Sequence, residues 1–237
     1  LSRFFISDLH LLEARPDITD AFFNFLSSHG QDAEELYILG DFFEVWLGDD
    51  HDTPFNRSII EALAACPANK YFMHGNRDFL VGETFCSAVG AKLLNDPTVI
   101  ELGGDRVLLM HGDSLCTGDQ EYMQVRSMLR DRGVQADLLS KSIEDRAAIA
   151  TNARTKSQAH NREAADDIMD VTPGEVIRAM EAHGVQTLIH GHTHRPNVHE
   201  LTFAGGDARR IVLGDWDQRG WYLKVDGTAM KLKSFDI

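Results

Sequence analysis

Five short stretches of this 237-residue chain carry side chains suited to binding divalent metal ions, and each comes straight after an apolar run. Asp8 and His10 follow Arg3-Phe4-Phe5-Ile6, and Asp41 follows Leu36-Tyr37-Ile38-Leu39-Gly40. Asn76, with Arg77 beside it, follows Lys70-Tyr71-Phe72-Met73-His74-Gly75. His111 follows Val107-Leu108-Leu109-Met110, and His192 and His194 follow Thr187-Leu188-Ile189. Carboxylate and amide oxygens mixed with imidazole suit Mn²⁺, with Zn²⁺ or Fe as alternatives. Two such ions held together clamp an in-line displacement at phosphorus and lower the pKa of a bound water to about 7. Taken singly, an Asp-x-His pair or one His after a strand is common by chance. The order of the blocks, each closing an apolar run, carries the signal. Arg77 adds a cation that stays charged at any working pH and whose fork suits two phosphate oxygens at once.

The elements that must deliver these residues are strands. Gly75 lets the backbone turn sharply where an apolar run stops. In α/β proteins the C-terminal strand ends open on one shared crevice, where ligands bind. Strands are expected over 3–7, 35–40 and 70–74. Between them Ile18, Ala21, Phe22, Phe25 and Leu26 fall at helical spacing, as do Ile59, Ile60, Leu63 and Ala64 before Pro67. This β-α-β-α-β order predicts a largely parallel, helix-covered sheet. A short helix is predicted over 85–89, capped by Gly90, then strands over 99–102 and 106–110 joined by a Gly103-Gly104-Asp105 hairpin turn. From Asp119 to about Ala165 the pattern is helical, with Leu138, Leu139, Ile143, Ala147 and Ala150 as a modest apolar stripe. Pro173 to His183 reads as a helix with Thr172 as N-cap. Short strands over 187–189, 210–213, 221–225 and 230–235 close the chain. No linker, repeat or low-complexity tract appears. One domain over 1–237 is expected, with a helical insertion at about 119–165.

The bulk properties narrow the partners. A formal charge of −14 argues against general nucleic-acid binding. Between Tyr122 and Ala165, however, eight Lys/Arg stand against five Asp/Glu. That basic island suggests an anionic ligand or an anionic surface, with a solvated helical face as the bland alternative. No apolar run approaches the roughly 20 residues that span a bilayer, and the apolar part of the N-terminal stretch is too short for a signal peptide. Cys66, Cys86 and Cys116 are odd in number and scattered, so buried thiols in a reducing cytoplasm are expected rather than disulfides.

The five blocks, Asp-x-His, Gly-Asp, Gly-Asn-Arg-Asp, an isolated His and Gly-His-Thr-His, resemble in order and context those of the calcineurin-like metallophosphoesterase superfamily. The resemblance implies an α/β metallophosphoesterase sandwich of two mixed β-sheets flanked by helices, with the 119–165 insertion as a helical lid. It implies two metal ions, taken as two Mn²⁺ per chain. Asp8, His10, Asp41 and His194 would hold one, and Asp41, Asn76, His111 and His192 the other, with Asp41 bridging. His190 and His74 are expected behind the ligands rather than among them. His29, His51, His160, His183 and His199 are expected as surface or packing histidines.

Arg77 departs from the superfamily, most of whose members have histidine at that place to help protonate an alkoxide leaving group. Arginine cannot do so. The change suits a leaving group that needs no proton, such as a phosphate monoester departing from a pyrophosphate. A closer resemblance follows, to the UDP-2,3-diacylglucosamine hydrolase (pyrophosphatase) family of lipid A synthesis. It rests on Trp46-x-Gly48-Asp49-Asp50, Gly75-Asn76-Arg77-Asp78-Phe79, Met110-His111-Gly112-Asp113, Ile168-Met169-Asp170-Val171 and His190-Gly191-His192-Thr193-His194-Arg195-Pro196. It implies Mn²⁺-dependent attack at the α-phosphorus, releasing UMP and 2,3-diacylglucosamine 1-phosphate. Asp41, Asn76, Arg77, His111 and His192 are the expected catalytic residues. Asn76, Arg77, Asp119, Ser157, Asn161 and His192 are the expected substrate contacts. A monomeric cytoplasmic chain is expected, lying on the inner membrane through its lid and binding no nucleic acid. Two departures stand out: Ala164 replaces an expected substrate-contacting lysine, and Ser140, Lys141, Ser142, Glu144 and Asp145 interrupt the apolar stripe of the lid. Two other readings remain open, a soluble pyrophosphatase or phosphodiesterase acting on another nucleotide, and a binding scaffold with a decayed metal site. Intact ligands in all five blocks count against the scaffold.

Overall fold

The computed structural model describes residues 2–163 and 170–237, with all their side chains except those of 158–163. In chain order the elements are β1 (Ser2–Ile6), α1 (Pro16–Phe25), β2 (Ala33–Leu39), α2 (Pro54–Ala65), β3 (Asn69–Met73), α3 (Glu83–Val89), β4 (Ala91–Leu94), β5 (Thr98–Leu102) and β6 (Asp105–Leu109). They continue with α4 (Gln120–Leu129), α5 (Arg132–Leu139), α6 (Ile143–Glu163), α7 (Pro173–His183), β7 (Thr187–His190), β8 (Asn197–Phe203), β9 (Gly206–Val212), β10 (Arg219–Asp226) and β11 (Ala229–Asp236). One sheet has six strands in the order β11-β10-β1-β2-β3-β4 and the other five in the order β5-β6-β7-β9-β8. β1, β2, β3 and β4 are parallel, as are β6, β7 and β9. Antiparallel strands sit at the remaining positions, so both sheets are mixed.

Period-two alternation divides the buried apolar strand residues among three layers. Phe4 and Ile6 of β1 and Leu36 and Ile38 of β2 face the layer beneath α1, α2 and α3, with Phe22, Phe25, Ile59, Leu63 and Phe85. Phe5, Tyr37 and Leu39 point the other way and meet Val107, Leu109, Ile189, Ile211 and Leu223 between the sheets. Leu108 and Leu188 look outward from the second sheet to Val176 and Met180 of α7. Strands buried on both faces read as unbroken apolar runs, which is why they stand out in the sequence. Each fully buried Phe or Leu contributes about 1.5–3 kcal/mol.

Local chemistry sets the ends. Gly90 closes α3 at φ 65° and Gly184 closes α7 at φ 60°, the left-handed caps that glycine favours. The β5–β6 turn runs through Gly103 and Gly104 at φ 61° and 93°, as the hairpin signal predicts. Thr172 stands in the N-cap place of α7 without capping it, and its hydroxyl instead accepts from Thr117 Oγ1 at 2.9 Å. The interruption of the apolar stripe is a helix boundary: Ser140 to Ser142 form the α5–α6 turn, and Ser142 Oγ accepts from Asp145 N at 3.1 Å.

The basic island also has a structural use, one that composition does not reveal. Arg126 of α4 and Arg130, which follows that helix, pair with buried Asp113 at 3.0 and 3.3 Å. Arg146 of α6, itself 5% exposed, binds Asp50 at 2.6 Å and the Leu47 carbonyl at 2.9 Å. Arg154 meets Glu44. Cations of the helical segment thus dock it onto carboxylates of an acidic body. All three cysteines are buried, and no helix among the described residues is long and apolar enough to cross a membrane.

Candidate metal centre

Two groups of metal-type ligands lie at the C-terminal strand ends: Asp8, His10 and His194, and Asp41, His111 and His192. The loops that carry them are zipped together by backbone bonds. Asp8 N donates to the Gly40 carbonyl at 3.0 Å and His10 N to that of Asp41 at 3.0 Å. Gly191 N donates to His111 O at 2.9 Å, which aligns the tips of β6 and β7. His192 N donates to Asp8 Oδ2 at 2.9 Å, joining the two sheets at the site.

A shared backbone feature is invisible in the sequence pattern. Asp8, His10, Asp41, His192 and His194 all have positive φ, at 56°, 50°, 49°, 68° and 54°, and they are the only non-glycine residues described that do. Asp and His enter this region more readily than most residues, yet each costs about 1 kcal/mol or more there. The conformation turns each ligand out of its strand and into the crevice. Glycines make room around them: a Cβ on Gly75 would collide with the Asp41 carboxylate, and one on Gly191 with that of Asp8. Gly191→Ala is therefore expected to weaken Mn²⁺ binding at least tenfold without unfolding the chain, as calorimetric titration alongside a melting curve would show.

The donor set fits divalent ions. His10 Nε2 and His194 Nε2 face each other at 3.2 Å, a separation at which two imidazoles repel unless a proton or a cation lies between them. Asp8 Oδ1 is buried and accepts no hydrogen bond. His111 Nε2 lies 3.2 Å from Asn76 Oδ1 and 3.7 Å from Asp41 Oδ2, which adds Asn76 to the second group. His111 Nδ1 donates to the Leu39 carbonyl at 2.8 Å, so its Nε2 is the free ligand atom. His194 Nδ1 is 3.5 Å from Asp215, and His10 Nδ1 is 3.1 Å from Glu44, so both rings of the first group have a carboxylate behind them.

Charge within this cluster is strongly coupled. Burial opposes ionisation of Asp8, but the His194 ring, with Nε2 3.5 Å from Oδ1, and the charges of His111 and His10 hold its carboxyl well below the usual carboxylate range. Burial also opposes charging of His111 and His194, yet the surrounding carboxylates, Asp41 and Asp113 for one and Asp8 and Asp215 for the other, push both up to about 9. Burial and the neighbouring His111 bring His192 down to about 4, and burial lowers His10. Metal ligation requires neutral imidazole, so a metal must displace the protons of His111 and His194. Mn²⁺ affinity is thus expected to rise as pH is raised from 7 to about 9, by up to about tenfold per unit for each proton expelled, and then to level off. Titrations in buffers of different ionisation enthalpy would count the released protons.

Of the other expected residues, Arg77 borders this centre. Arg77 N donates to Asp41 Oδ1 at 2.8 Å, while its side-chain Nε is buried without a partner. Asp119 is 8% exposed and caps α4, accepting from Tyr122 N at 2.8 Å. Ser157 is half-buried on α6. The side chain of Asn161 and the whole of Ala164, Ile168 and Met169 lie outside the described residues. His190 is fully buried behind the centre, with Nδ1 bonded to Gly191 O at 2.8 Å, and burial and Arg210 bring it down to about 3. His74 Nε2 bonds Val81 O at 2.6 Å and shapes the loop after β3. Four supporting carboxylates receive no role from the sequence: Glu44, Asp78, Asp113 and Asp215. Asp78 accepts from Gly75 N at 2.7 Å and Phe42 N at 2.8 Å, binding the Asn76 and Asp41 loops to one another. Burial and the Asp41 charge raise it to about 6. Its place two residues after Asn76 was the available signal.

Comparison with known proteins agrees with this geometry. A profile described as calcineurin-like phosphoesterase matches residues 3–196. Proteins named UDP-2,3-diacylglucosamine hydrolase are similar over nearly the whole chain. That of Pseudomonas entomophila is 53% identical over 98% of both chains. That of Pseudomonas putida is 54% identical with the same coverage. That of Marinobacter nauticus is 53% identical over 95% of this chain and 93% of its own. A solved archaeal phosphodiesterase superposes with a TM-score of 0.53 at 14% identity over 100% of both chains, a likeness of fold alone. With two ligand groups at the strand tips, a matching profile and whole-length relatives, the chain belongs to the calcineurin-like phosphoesterase family and is a metal-dependent phosphoesterase.

Proposed function

We propose that this enzyme hydrolyses the pyrophosphate bond of UDP-2,3-diacylglucosamine, by attack at the α-phosphorus, to UMP and 2,3-diacylglucosamine 1-phosphate. The observation that carries the proposal is Arg77: a fixed cation with a buried, unpartnered Nε beside Asp41, where the superfamily commonly has an acid–base histidine. Arg77 binds the phosphate groups and balances their charge, while the low-pKa phosphate leaves without receiving a proton. Asp8, His10, Asp41 and His194 would hold one Mn²⁺ ion, and Asp41, Asn76, His111 and His192 a second. When bound, the ions supply Lewis-acid polarisation and a water acidified to pKa about 7. Asn76 binds phosphate beside Arg77, and His192 lies at the same face. Asp119, Ser157 and Asn161 receive the sugar-phosphate part.

The names of the relatives support the substrate. The diacyl part is received by the helical segment, which acts as a lid inserted in a single domain. Of the exposed large apolar side chains among the described residues, Val125, Met128, Leu139 and Ile149 belong to α4, α5 and α6. The same segment rests on the cytoplasmic side of the inner membrane, and the chain works as a monomer. Protein loaded with Mn²⁺ is expected to release UMP from UDP-2,3-diacylglucosamine, to stop on chelation and to recover on re-addition. Release from unacylated UDP-sugars alone would replace this reading with a soluble nucleotide pyrophosphatase.

A further inference from the structure

One buried carboxylate has no part in holding the ions. Glu44 lies three residues beyond Asp41 and is 9% exposed. Groups from three separate parts of the chain converge on it. His10 Nδ1 is 3.1 Å from Oε2, Arg77 NH1 is 3.8 Å from Oε1, and Arg154 of α6 also meets Oε1. The 3.1 Å approach of His10 Nδ1 to Glu44 is an ion-pair contact outside hydrogen-bond geometry, and the opposite nitrogen, Nε2, is the one that faces His194. Glu44 itself is held in register by its backbone, whose N–H donates to the Leu11 carbonyl at 3.1 Å, one residue from His10.

We propose that Glu44 is a positioning residue with two faces, orienting His10 for the first metal ion and seating helix α6 over the centre through Arg154. A carboxylate behind Nδ1 keeps the proton on that nitrogen, leaves Nε2 as the ligand atom and raises its basicity. The Arg154 side chain is 41% exposed, so its ion pair adds little to global stability. Its effect is local: it decides where α6 rests. Arg77 shares the carboxylate, so the cation assigned to phosphate is held by the same group until substrate competes for it. The inference rests on the metal-dependent phosphoesterase reading and not on the identity of the substrate.

The test uses the full chain and Mn²⁺ alone. Glu44→Ala is expected to weaken Mn²⁺ binding by about tenfold or more, whereas Glu44→Gln, which keeps an acceptor for Nδ1, loses less than about threefold. Arg154→Ala leaves Mn²⁺ affinity within about twofold but speeds amide exchange across α6 by about two- to fivefold, as one partly exposed ion pair would. Glu44→Gln speeds exchange there by the same factor, and adding Arg154→Ala to it brings no further increase. Wild-type Mn²⁺ affinity in Glu44→Ala, unchanged α6 exchange in Arg154→Ala, or additive effects in the double variant would each overturn the proposal. Neither readout contains substrate, so failure of UMP release leaves this inference intact, and the reverse holds too.

Discussion

His111→Ala is expected to reduce turnover at least about a thousandfold while the chain still folds. His111 is fully buried, tethered through Nδ1 to Leu39 O, and its Nε2 points at Asn76 and Asp41. Its removal takes a nitrogen ligand from the second group and a positive charge from between Asp41, Asp113 and Asp8. The lost ring also leaves a cavity costing about 2–4 kcal/mol, so turnover must be read beside a melting curve. Asn76→Ala separates the two effects. Asn76 is only half-buried, so its loss is expected to cost little stability yet a comparable share of activity. Turnover unaffected in either variant would break the two-ion assignment.

Arg77→His is the second large effect, and it bears on the substrate. A pyrophosphate with a good leaving group gains from a fixed positive charge and not from a proton donor. Histidine at this place would be mostly neutral near pH 7 and cannot make a bidentate phosphate contact. Cleavage of the pyrophosphate is expected to fall by about a hundredfold or more, with partial recovery below about pH 6, where imidazole is cationic. A faster variant at neutral pH would sink the leaving-group explanation. Its backbone N–H still donates to Asp41 Oδ1, so the Asp41 loop keeps its shape and the comparison isolates the side chain.

The candidate ligands stood out because each ends a strand buried on both faces, whose apolar run is unmistakable. Phe4-Phe5-Ile6 before Asp8 and Leu108-Leu109-Met110 before His111 are of this kind. β4 and β8 went unseen for the opposite reason. β4 has four half-buried or exposed residues, and β8 is an edge strand whose side chains are mostly exposed or half-buried. The side-by-side pairing of β10 with β1 joins residues more than two hundred positions apart, and no local pattern carries it. The supporting carboxylates were hidden likewise. Asp78 works through Phe42 N, thirty-six residues away, and Asp50 through Arg146, ninety-six away. Even Trp46-x-Gly48-Asp49-Asp50, which contributes to the resemblance, proves to be scaffolding: Asp49 accepts from Trp46 Nε1, Gly82 N and Phe85 N.

The five left-handed ligand residues have a consequence for descent. Each carries a backbone cost that ion binding would repay, so selection for stability and selection for chemistry would pull in opposite directions there. A lineage that gave up hydrolysis would be free to relax, and glycine or asparagine at the places of His10, His192 and His194 would be the stabilising exits. Such replacements are a fingerprint of lost chemistry, distinct from the random decay that alanine or serine would mark. His10→Gly should accordingly melt higher than His10→Ala, a difference that would date the centre as a strain retained for use.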